Sequence, residues 1–319
     1  MTETVPVSPD GASSEDEAHA GPWIPETSVA AATWALFAGL LLVMVGNGLN
    51  GSVLGVRSEA EGFGLGVTGF IMAAYFAGFL AGTSYTVFAL KTVGHIRVFA
   101  ALASGASSVV LLQALSVEPV TWVIARFLFG ACMAGIYVVV ESWLNDLATN
   151  KTRGRILSVY MIVTMGGLGV GQLMLNIDDP TGFRLFILVS VLVSMSLVPV
   201  TLSASSAPPL AAPTPLGLNE LTSRVPTGVM VAFWNGAATG ALLGMGAVYA
   251  SSAGLSSSRI SAFLFAPMAG ALVFQWPIGW LSDHLPRRGV MLGLASVAAA
   301  SCLLALSVAD GSGIALLAM

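Results

Sequence analysis

Residues 119–140 read PVTWVIARFLFGACMAGIYVVV, an apolar run with a single charge, Arg126. A helix rises about 1.5 Å per residue, so about 20 apolar residues cross about 30 Å of hydrocarbon. This stretch meets that length. It does not alternate apolar and polar positions, as a barrel strand does over about ten residues. Lipid offers the backbone no hydrogen bonds, and a continuous helix satisfies its own. Residues 119–140 therefore read as a membrane-spanning helix.

The same reading extends in both directions. Between charged residues lie the runs Ala30–Val56, Gly62–Leu90, Val98–Val117, Ile156–Ile177, Leu185–Asn219, Val225–Ser258, Ile260–Ser282 and Gly289–Ala309. With Pro119–Val140 they make nine full spans, and Gly311–Met319 begins a tenth. Hydrophobic residues make up 56% of the 319 and charged residues 9%, with a mean hydropathy of +0.87. A soluble domain carries about 25% charged residues. The fold class is an all-α integral membrane bundle.

Residues 1–28 are rich in Pro, Ser, Ala and acid and hold no basic residue. A signal peptide starts with positive charge, so this segment reads as a disordered acidic tail. If the tail is cytoplasmic, eight basic residues (Lys91, Arg97, Lys151, Arg153, Arg155, Arg224, Arg287, Arg288) fall in cytoplasmic loops. Three (Arg57, Arg184, Arg259) then fall on the far side. That balance obeys the positive-inside rule. A multi-pass protein of a bacterial inner membrane with a cytoplasmic N-terminus is expected. Residues 203–223 are rich in Pro, Ser and Ala and read as a cytoplasmic linker. They separate a six-helix N-terminal half, 29–202, from a partial C-terminal half, 224–319. The outline is that of a two-half carrier, and the chain is expected to be a C-terminally truncated fragment of a twelve-span protein.

Charge inside a span costs about 2.5–3.5 kcal/mol on insertion scales. Arg126 is the clearest case, about a third of the way into its span. Gly130, Met133 and Tyr137 share its face at i+4, i+7 and i+11, a face expected to line an interior cavity. Glu141 lies about 22 Å further along the axis and cannot pair with it. Backbone carbonyls, an anionic substrate or a residue beyond Met319 remain as partners. Uncharged amides recur at mid-depth: Asn47 and Asn50, Gln172 and Asn176, Asn235, and Gln275. They suit a polar solute, or helix-to-helix hydrogen bonds worth about 0.6 kcal/mol each. Gly167 and Gly171 form a GxxxG pair suited to close packing. Cys132 and Cys302 fall inside spans and read as small packing residues. No GxxxxGK[ST] loop and no HExxH occurs, and His95 and His284 read as loop residues. No cofactor, metal site, enzymatic activity or nucleic-acid partner is expected.

Three motifs carry a resemblance. Gly279-Trp-Leu-Ser-Asp283-His-Leu-Pro-Arg287-Arg288 resembles the loop signature of the major facilitator superfamily, with Pro286 in the place of its second Gly. Arg126-Phe-Leu-Phe-Gly130 resembles the family's R-x-x-x-G motif. Lys91-Thr-Val-Gly94-His95-Ile-Arg97 resembles a degenerate first copy of the loop signature, with Val87 and Lys91 in the places of its Gly and Asp. Glu141-Ser-Trp-Leu-Asn145, Arg153-Gly154-Arg155, Tyr160-Met161 and Gly171-Gln172 are similar to the YcaD-like group of bacterial carriers. The resemblance implies two pseudosymmetric six-helix bundles rocking around a central site. It implies cytoplasmic gate roles for Gly94, Arg97, Gly279, Asp283, Arg287 and Arg288. Glu141 with Arg153 and Arg155 would form a second cytoplasmic charge cluster.

The leading expectation is a secondary transporter of a small organic solute, coupled to protons, with the bilayer, the solute and protons as partners. Candidates for the solute and proton pathway are Asn47, Asn50, Arg126, Tyr137, Glu141, Gln172, Asn176, Asn235 and Gln275. The alternative is a non-transporting membrane protein: a sensor, a partner subunit or a carrier remnant. Oligomeric state is left open.

Overall fold

In the computed structural model the described parts of the nine apolar runs are largely helical. The structure describes residues 26–149, 152–202 and 218–308, without the side chains of 26–32, 218, 219, 283, 287 and 304–308. The described residues form eleven α-helices and no strand. The first four are α1 (Glu26–Ala60), α2 (Gly64–Val93), α3 (His95–Leu115) and α4 (Pro119–Leu147). Next come α5 (Arg153–Leu173), continued by a 3-10 turn at Met174–Asn176, then α6 (Arg184–Met195) and α7 (Leu197–Leu202). After the break follow α8 (Leu218–Arg224), α9 (Pro226–Ser252), α10 (Ser257–His284) and α11 (Arg287–Val308).

Eight spans long and apolar enough to cross a membrane lie among the described residues, with α6 and α7 together making one of them. A shorter apolar helix, Arg288–Leu303, corresponds to the expected ninth. The start of the tenth, Gly311–Met319, and the tail 1–25 lie outside the described residues. So do residues 203–217 of the expected linker, while Leu218–Arg224 are helical.

Local chemistry sets the helix ends. Proline opens α4 and α9, where its missing N–H costs nothing. Gly94 is the single residue between α2 and α3, at φ 85° and ψ 168°, a conformation that excludes a Cβ. The expected loop there shrinks to this one glycine. His95 is consequently not a loop residue but the buried first residue of α3. His284 likewise belongs to α10. Pro267 and Pro277 sit inside α10, as membrane helices tolerate when neighbours re-satisfy the freed carbonyls.

Small residues set the packing. Gly78 and Gly82 of α2 press on the backbone of Phe127 and Ala131 in α4, and Gly130 presses back on Tyr75. The expected Gly167–Gly171 pair does the same between α5 and α1, meeting Met44 and Val45. Such close approach replaces the hydrophobic drive that lipid does not supply. Around these contacts α1 also packs on α6, and α3 on α4 and α6. Trp122, Phe129, Phe99 and Phe186 fill the core.

The later helices join this bundle at one end only. Gly55 of α1 packs on Ala247 and Val248 of α9. Gly169 of α5 packs on Phe265 and Met268 of α10. Ser251 donates to Glu59 at 2.9 Å, and Asn176 Nδ2 donates to Ser261 Oγ at 2.6 Å. Buried residues of α9 lie between Gly244 and Ala250. In α10 the buried apolar residues are Ile260, Leu264 and Met268. Away from that end, residues 229–239 of α9 and 273–280 of α10 are largely exposed.

Candidate functional site

A pocket of about 60 Å³ lies where α1, α2, α4, α5 and α9 converge, lined by Asn47, Tyr75, Arg126 and Gln172. Gly51 leaves room on the α1 side, Gly48 packs on the Leu168 backbone, and Phe76, Leu168 and Leu243 supply apolar walls. At ~10–15 Å³ of such volume per molecule, the space equals a few waters. A Cβ on Gly51 would meet nothing within 4 Å.

Arg126 is 4% exposed. Its guanidinium carbon lies 4.7 Å from the Tyr75 ring centroid, a cation–π contact. Nη2 reaches Met72 Sδ at 3.9 Å, a weak acceptor. Nε and Nη1 are buried with no hydrogen-bond partner among the described residues. Arg126 is absent from the ion pairs of those residues, which join Arg57 to Glu61, Arg184 to Asp178 and Arg224 to Glu220. Asn47 Nδ2 points to Tyr75 Oη at a long 3.5 Å. Ser52 Oγ meets both Gln172 Oε1 and the Gly48 carbonyl, so two acceptors share its single proton.

The structure therefore gathers Asn47, Arg126 and Gln172 at one site. Asn50 is fully buried beside them in sequence, with neither amide atom hydrogen-bonded among the described residues, but it does not line the pocket. Tyr137, on the Arg126 face as expected, donates to Met44 Sδ at 3.0 Å and packs near Phe79. Asn176 bridges to Ser261 at the joined end. Asn235 and Gln275 are exposed on α9 and α10, away from the pocket. Tyr75, Phe76 and Ser52 are site residues that the sequence reading passed over. A tyrosine deep inside a span, rather than in an interfacial belt, was the available signal for Tyr75.

At the far end of α4, Glu141 Oε1 accepts from Tyr160 Oη at 2.7 Å. Arg153 donates to Asn145 Oδ1 at 3.1 Å, and Asn145 donates to the Glu141 carbonyl at 2.9 Å. Glu141 and Arg153 thus meet through Asn145 and not as an ion pair. Arg155, Arg97 and Arg288 are exposed, Gly94 makes the α2–α3 turn, and Gly279 is exposed on α10. The side chains of Asp283 and Arg287 are outside the described set. Near this end a polar contact not foreseen from sequence joins His95 Nε2 to Ser142 Oγ at 3.1 Å, under the Trp143 ring.

Known proteins match this chain over most of its length. An uncharacterized MFS-type transporter YcaD from Escherichia fergusonii is 27% identical over 258 residues, 80% of this chain and 68% of that protein. An uncharacterized MFS-type transporter from Enterobacter sp. (strain 638) is 29% identical over 272 residues, 84% of this chain and 71% of that protein. The YcaD of Escherichia coli O9:H4 is 27% identical over 269 residues, 80% of this chain and 68% of that protein. The model of the Major Facilitator Superfamily matches residues 36–319, and with its apolar helical spans the chain belongs to that family of membrane transporters.

Proposed function

We propose that this chain is a secondary carrier that moves a small organic solute across the cytoplasmic membrane by alternating access. The observation that carries the reading is the Arg126 pocket, a polar site enclosed by helices from both expected halves. Two amides and a guanidinium with no ion-pair partner among the described residues face one small space. The packing supports the mechanism. The two sets of helices are tied at one end, by Glu59–Ser251 and Asn176–Ser261, and part toward the other. In the orientation that keeps the basic loops in the cytoplasm, the tied end faces outward and the parted ends face inward.

Proton coupling is the finer part of the proposal. Glu141 is a carboxylate at a span margin, held by the Tyr160 hydroxyl, and is the candidate proton carrier. Arg97, Arg153, Arg155, Arg288, Asp283 and Arg287 are proposed to serve the cytoplasmic gate.

The test is flux in liposomes loaded with a pH-reporting dye and screened against a panel of metabolite-sized solutes. A solute that moves protons in the wild type, and fails to in Arg126→Ala and Glu141→Gln, meets the proposal. PH-driven flux that both variants retain defeats the mechanism. If no solute moves at all, the non-transporting alternative replaces it.

A further inference from the structure

The pocket's charge identifies the class of molecule it takes. We infer that it binds the carboxylate of a small organic anion, an inference that rests on its being the solute site.

An arginine stays protonated in proteins, so Arg126 carries its charge wherever it is buried. Its two neighbours in contact, the Tyr75 ring and Met72 Sδ, bring electron density but no negative charge. Nε and Nη1 have no partner among the described residues. Among the described residues, no acid on the surrounding helices reaches this depth. Glu118 caps the start of α4, about 12 Å away along the axis. Glu141 is about 22 Å away in the other direction and is engaged with Tyr160. Glu59 accepts from Ser251 and Glu61 pairs with Arg57.

The rest of the polar lining favours donors. Gln172 brings two N–H donors, and its oxygen meets the Ser52 hydroxyl. Asn47 spends one N–H on a long contact with Tyr75 and keeps another. A cation with donors around it suits an anionic oxygen pair and opposes an ammonium group. The volume of about 60 Å³ admits a carboxylate and little more, so the body of the solute extends past Phe76, which is 40% exposed.

The experiment measures thermal unfolding of the purified protein in detergent. Acetate, lactate and benzoate are the probes, each beside its uncharged amide (acetamide, lactamide, benzamide). At least one carboxylate raises the midpoint in a saturable way, and its amide does not. Arg126→Gln abolishes the shift, and Arg126→Lys, with charge but no planar fork, weakens apparent affinity roughly tenfold. Gly51→Leu fills the open space beside Arg126 and abolishes the shift with the charge intact. No shift from any of the three carboxylates, an amide that matches its acid, or a shift that survives Arg126→Gln would each overturn the inference. Flux of an uncharged solute that Gly51→Leu blocks and Arg126→Gln spares would overturn it while leaving the carrier in place. Carboxylate binding without flux of any solute would support it and remove the carrier.

Discussion

Two nitrogens of Arg126 are buried with no hydrogen-bond partner among the described residues, and the cation–π contact with Tyr75 offsets only part of that cost. A buried group left without its bonds costs about 1–3 kcal/mol, and more when charged. Arg126→Met is therefore expected to raise the unfolding midpoint while removing solute-dependent flux, measured on one preparation. Tyr75 is the complementary case. Tyr75→Leu removes the ring beneath the guanidinium and should lower stability by about 0.5–2 kcal/mol. Tyr75→Phe keeps the ring, loses only the 3.5 Å contact with Asn47 and should change little. Outside the membrane, the Thr181 backbone N–H and hydroxyl both donate to Asp179 and hold its carboxyl below the ordinary 3.8. A lowered value stabilises the turn above that ordinary range, and the gain is lost as pH falls through the lowered one. Protection of the Thr181 amide, relative to its intrinsic exchange rate at each pH, should therefore fall only below the ordinary carboxylate range, and Asp179→Asn should lower it at neutral pH. At this scale the sequence exposed what hydropathy penalises, and so Arg126, Asn47 and Gln172 stood out. Tyr75 did not, because an aromatic ring costs lipid little, and its role depends on which helix lies opposite.

The elements themselves were legible for a simple reason: length and apolarity report the exchange of water for lipid. What each helix touches is a separate matter. The backbone contact between α2 and α4 depends on Gly78 and Gly82 facing Phe127 and Ala131, and neighbouring glycines such as Gly66 and Gly69 face open space. A Cβ at position 82 would overlap the backbone of Ala131, which cannot rotate away as a side chain can. Gly82→Val should cost at least about 1–3 kcal/mol of stability and reduce the recovery of monodisperse protein in size-exclusion chromatography. Gly69→Ala, with open space at its Cβ, is the matched control and should behave as wild type. The one-residue turn at Gly94 was unreadable for a related reason. Lys91–Arg97 looks like a loop by charge, yet the charged ends of two helices look the same.

On the scale of the whole molecule, the sequence suggested two halves and offered no view of how they meet. Asn176 read as an amide for a solute or for a helix-to-helix hydrogen bond, and its 2.6 Å contact with Ser261 is of the second kind, tying the turn after α5 to α10. The tie must open if the pocket is to be reached from the other side. A disulfide across it, made by Asn176→Cys with Ser261→Cys, should stop flux, and reductant should restore it. Either single substitution should leave flux measurable.

That Arg126 has no counter-charge among the described residues has an electrical consequence. A membrane potential does work on any charge that shifts through it, about 2.3 kcal/mol for one elementary charge across 100 mV. An empty carrier whose site advances through the field drags Arg126 with it, and its return step becomes sensitive to voltage. With a monovalent anion seated against the guanidinium the moving site is neutral, and the loaded step is not. With Glu141 in one protonation state on both steps, the potential would then set how fast the protein resets while leaving delivery itself almost untouched.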